Sequence, residues 1–77
     1  MPRIARLTTV SIYIRADDHA PPHFHAHGPD TDMQVSIGTL QVMRGHYTRA
    51  ALAETIAWAA KSQPLLWTKW DEINERD

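Results

Sequence analysis

Cysteine is absent from the 77 residues. Disulfide frameworks and thiolate metal sites are therefore excluded, and a reducing, cytoplasmic setting is the expectation. Glycine occurs three times, and Gly28, Gly38 and Gly45 are isolated turn residues rather than a phosphate cradle, so no nucleotide cofactor is expected. No apolar run approaches a signal peptide or the roughly 18 residues of a membrane span, because charge interrupts Met1-Pro2-Arg3-Ile4-Ala5-Arg6 at the start. An excess of either charge is also missing. Eight Lys/Arg stand against nine Asp/Glu, for a formal charge of -1, and no basic run occurs, which leaves nucleic-acid binding by phosphate neutralisation unsupported. Ser11, Ser36 and the threonines have no nucleophile signature, so covalent catalysis is not expected.

What remains is short and periodic. A chain of this length fits one domain over residues 1–77 with a small core, and covering apolar area by self-association or by a partner is a natural outcome. Val10, Ile12 and Ile14 alternate with Ser11, Tyr13 and Arg15, as in a half-buried strand. Asp17-Asp18 makes a turn, and Pro21-Pro22 stiffens an extended loop. His23 to His27 alternates again, with Phe24 and Ala26 on one side and three histidines on the other. Gly28-Pro29-Asp30-Thr31 then turns the chain. Met33, Val35 and Ile37 alternate with polar neighbours, and a two-residue turn at Gly38-Thr39 leads to Leu40-Gln41-Val42-Met43. From Thr48, a plausible N-cap, the period is helical through Leu52 and Ile56. Pro64 suits the first turn of a second helix carrying Leu66, Trp70 and Ile73.

The expected fold is α+β: an antiparallel meander with strands about 9–15, 22–27, 32–37 and 40–44, and two C-terminal helices about 48–61 and 64–75 packed on its apolar face. Trp70 belongs to the core, and Trp67 is the tryptophan expected to point outward. The histidines fall on the open, solvated face.

Five histidines in so short a chain make its charge pH-sensitive. Histidines two apart on a strand sit about 6.5–7 Å apart at the backbone, so His23 and His25 can both reach one metal at about 2.0–2.1 Å. His19 would complete the set, with Asp17, Asp18 and His46 as other nearby donors. Zinc or another divalent metal, with its bound water as nucleophile, would make a hydrolase or nuclease. The plainer reading is histidines that stack and hydrogen-bond at half-exposed sheet positions. The second helix, with Asp71, Glu72, Glu75 and Asp77, is too acidic to enter a DNA groove.

Asp18-His19-Ala20-Pro21-Pro22-His23-Phe24-His25-Ala26 resembles the signature of a small bacterial family known as domain of unknown function 4160. Met1-Pro2-Arg3-Ile4, Gly45, Arg49-Ala50, Trp58-Ala59, Leu66 and Trp70 extend the resemblance along nearly the whole chain. It departs at His27-Gly28-Pro29-Asp30, where relatives vary, and at Ser62, where many carry histidine. The resemblance implies no established activity, but it implies genes neighbouring another small domain in arrangements like toxin and antitoxin pairs. A non-enzymatic module binding a protein partner, or a second copy of itself, is the resulting expectation. Its candidate surface is Tyr13, Arg15, Asp18, His19, His23 and His25.

Overall fold

Alternating sequence becomes alternating structure. The computed structural model describes residues 3–16 and 21–74, and within them five strands form one antiparallel sheet in the order β1-β2-β3-β4-β5. The strands are β1 (Arg3–Arg6), β2 (Ser11–Tyr13), β3 (His23–Gly28), β4 (Thr31–Ser36) and β5 (Val42–His46). A helix, α1 (Arg49–Asn74), follows. Ile12 lies opposite Ala26, Ala26 opposite Met33, Phe24 opposite Val35, and Val35 opposite Val42. Because facing residues of paired strands share a side, this register gathers the apolar residues on one face. Val10, Ile14 and Ile37 join them in the buried core.

The helix covers that face. Thr48 caps it as its residue type suggests: its Oγ1 accepts the Ala51 N–H at 3.1 Å, and its carbonyl accepts the Leu52 N–H at 3.0 Å. The helix fully buries Ala51, Thr55 and Ala59 before the kink and Leu66 beyond it, with Leu52, Ile56 and Trp58 only partly covered beside them. Small side chains every fourth residue let the helix axis approach the sheet, and the larger neighbours fill the flanks. Trp58 meets Phe24 edge to face at 6.3 Å, the geometry that aromatic quadrupoles favour.

Several expectations are corrected. Two separate helices are expected, but the chain forms one helical run of 26 residues, kinked at Ser62 (φ -119°, ψ 15°). Pro64 has no N–H to continue the ladder and disfavours helical geometry just before it, yet it is well suited to start a turn, so the axis bends without stopping. Three or four strands are expected, and β1 is the addition; two arginines flank its Ile4-Ala5 and hide the strand pattern. The expected two-residue turn at Gly38-Thr39 is a four-residue loop, Ile37 to Leu40, closed by Leu40 N–H on the Ser36 carbonyl at 2.9 Å and Ser36 N–H on the Gln41 carbonyl at 3.0 Å. It closes there because Leu40 takes the left-handed conformation (φ 61°) while packing against the core. Gln63, beside the kink, donates to the Ile37 carbonyl at 2.7 Å and holds this loop to the helix. Among the described residues no helix is long and apolar enough to cross a membrane.

Between Gln34–Arg44 and Val35–Val42 the β4–β5 register shifts, which leaves Met43 as the extra residue of a bulge. Next to it Gly45 has φ 108°, and a Cβ there would stand 2.1 Å from the Asp32 carbonyl oxygen. Gly45→Ala is therefore expected to lower stability by about 1–3 kcal/mol from backbone strain alone, read as a lower denaturant midpoint. At the helix–sheet contact the Thr55 hydroxyl oxygen is buried with no hydrogen-bond partner. Thr55→Val, of matching shape, should raise stability by about 1 kcal/mol, checked by thermal unfolding.

Candidate functional site

On the other side of the sheet the same register lines up polar residues in rows. One row runs Arg3, Tyr13, His25, Gln34, Arg44 from β1 to β5. The next runs Arg6, Ser11, His27, Asp32, His46. His23 stands opposite Ser36 at the end of the sheet. A hollow of about 270 Å³ opens on this face, lined by Tyr13, Arg15, His25, His27 and Asp32.

Of the residues expected here, the structure brings Tyr13, Arg15 and His25 to the hollow and His23 beside His25. Asp17, Asp18 and His19 lie outside the described residues. The expectation that the three histidines are open to solvent is corrected: His23 and His25 are 6% and 4% exposed, and only His27 is exposed. Their side of the sheet is as expected; their cover is not. Beyond the kink, the helix brings Trp70 to 5.7 Å from the His23 ring, and the His23 and His25 rings meet edge to face at 5.0 Å. The Nδ1 of His23 lies 2.9 Å from the Pro21 carbonyl oxygen. A carbonyl can only accept, so Nδ1 carries a proton and donates, and the stiff Pro21-Pro22 segment thereby orients the ring. Trp67 points outward, 40% exposed, over the turn at Gly38.

Donors suited to a metal are present but dispersed. His23 and His25 are adjacent, yet among the described residues no group of three or more His, Asp or Glu is arranged to hold a metal ion. The rows place cationic, aromatic and hydrogen-bonding groups around the hollow.

Residues 9–71 match the family described as Domain of unknown function (DUF4160). The chain belongs to this family. The match runs from just before β2 to beyond the helix kink, and so takes in the hollow, the histidine strand and the Trp70 cover, while β1 lies outside it. No curated protein and no solved structure matches the chain.

His27 and Asp32 complete the face where alternation places them, whereas Arg3, Arg6 and Arg44 are not singled out by sequence patterning; the signal for the arginines was the parity of each strand once register is known. Glu54 also has no sequence signal. It is a helix residue whose carboxylate accepts the Thr9 hydroxyl, the Thr9 N–H at 2.7 Å and the Thr8 N–H at 2.8 Å, and so ties the β1–β2 turn to the helix. These bonds, the Thr9 side chain foremost, hold its carboxyl down from 4.5 to about 2. A lowered folded-state value gives stability that is present in full above about pH 4.5 and lost as pH falls towards 2. Glu54→Gln should therefore lower the melting temperature at pH 7 and flatten its decline between pH 4.5 and 2; a variant that keeps the wild-type pH profile would contradict this role.

Proposed function

We propose that this chain is a non-enzymatic interaction module that docks a protein partner on the polar face of its sheet, a role of the kind an antitoxin has toward its toxin. The hollow lined by Tyr13, Arg15, His25, His27 and Asp32 carries the reading. Tyrosine and arginine are the side chains that anchor protein interfaces, because each combines large contact area with directed hydrogen bonds. Arg15 is exposed and Tyr13 half-buried, so both are available without reorganising the core. His23, His25 and Trp70 pack together at one end and give the face a stiff floor. Asp18 and His19, which precede the Pro21-Pro22 segment, belong to the same proposed surface.

The test is capture from the native host with a tagged chain. The wild type should retain a stoichiometric partner, and the double variant Tyr13→Ala/Arg15→Ala should lose it, since two anchors of this type together are worth about 2 kcal/mol or more. A wild-type chain that emerges alone, or a variant that keeps the partner, would overturn the proposal.

The 5.0 Å approach of the His23 and His25 rings favours a second reading, a divalent metal such as zinc held by His23, His25 and His19 in a hydrolase or nuclease. Zinc titration followed by residue-resolved NMR would shift these three imidazoles at micromolar metal; unmoved signals would remove the reading.

A further inference from the structure

We infer that the partner of the polar sheet face is an acidic protein segment, an inference that rests on the interaction-module proposal and specifies its chemistry. The chain as a whole is nearly neutral, at -1, and the helix is balanced, with Arg49, Lys61 and Lys69 against Glu54, Asp71 and Glu72, but among the described residues the polar face of the sheet is basic. Pairing in register puts Arg3, Arg6 and Arg44 on the side of the sheet that bears Tyr13 and His25, and Arg15 joins them at the hollow. All four are exposed. Among the described residues Asp32 is the one carboxylate on this face. None of the four guanidinium groups has a carboxylate partner among the described residues. The described acids of the helix are occupied elsewhere where they pair: Glu54 holds Thr8 and Thr9, and Glu72 pairs with Lys69 at 3.4 Å.

An unpaired guanidinium is a fork of donors shaped for a carboxylate. The row from Arg3 to Arg44 crosses five strands, about 19 Å at 4.7–4.9 Å per strand, which is the reach of about six extended residues. Carboxylates spaced along such a segment can meet Arg3, Arg15 and Arg44 in turn, with the hollow taking one side chain between them.

Single-stranded nucleic acid fits less well. Asp32, in the lining of the hollow, repels phosphate and carboxylate alike, so it is the aromatic content of the face that discriminates. Tyr13 is the only tyrosine, phenylalanine or tryptophan that the strands put on this face, so there is no ladder of rings on which successive bases could stack.

The probes are a fluorescently labelled decapeptide of glutamate and a labelled ten-nucleotide uridine RNA, followed by anisotropy on the full chain. The peptide is expected to bind more tightly than the RNA, and to weaken as salt rises from 50 to 200 mM. Arg15→Glu/Arg44→Glu should weaken it at least about tenfold, while Lys61→Glu on the helix leaves it unchanged; circular dichroism verifies the fold, and Arg15→Gln/Arg44→Gln serves if charge reversal disturbs it. Preference for the RNA, no peptide binding, indifference to the arginine changes, or a dimer that closes this face would each overturn the inference. If the peptide fails while host capture still depends on Tyr13 and Arg15, acidity falls and the docking face stands; if capture fails too, both fall.

Discussion

The close seating of one helix on one face of the sheet is the contact on which the rest depends. Ala51, Thr55 and Ala59 are buried where a larger stripe would hold the helix away, and the apolar side chains of β2, β3 and β4 are dry because the axis comes near. From that seat follow the flanking contacts: Trp58 over Phe24, Glu54 on the β1–β2 turn, and Gln63 on the β4–β5 loop. A 26-residue helix is longer than five short strands need, and beyond the kink at Ser62 its far end keeps Leu66, Trp70 and Ile73 against the core while Trp70 also meets the His23 ring.

The sheet thus divides its work. One face is spent on stability, and the other carries Arg3, Arg6, Arg15 and Arg44, whose guanidinium groups have no carboxylate partner among the described residues. At the β3 end the division blurs, because His23 and His25 belong by parity to the polar face and by burial to the interior. Of these two imidazoles His25 lines the hollow, with His23 edge to face against it and Trp70 beyond. The face is more open at the exposed Arg15 and the half-buried Tyr13.

Much of this was legible in the sequence, because alternation reports side-chain direction. Val10 to Arg15, His23 to His27 and Met33 to Ile37 all lie on the faces their parity assigns, and Thr48 caps the helix where its hydroxyl suggested. What was not legible has specific causes. Parity tells which way His25 points but not what lies over it, and Trp70 reaches His23 only through a kinked helix. Pro64 signals a break, and nothing local distinguishes a bend from an end. Arg3-Ile4-Ala5-Arg6 has too few apolar residues to read as a strand, although charged edges are a usual protection against stray pairing. Net charge averages over the chain, so the gathering of Arg3, Arg6 and Arg44 on one face is invisible until register is known. Glu54 caps residues 45 positions away, a pairing that no local pattern encodes.

The division between the two faces is tested most directly by a pair of adjacent substitutions in β4. Met33 is fully buried against the helix, and Asp32 is exposed beside the hollow. In denaturant titrations Met33→Ala should cost about 2–5 kcal/mol, and Asp32→Ala should stay within about 0.5 kcal/mol of the wild type. Comparable losses at both positions would show that the polar face is also holding the fold together, and would contradict the account.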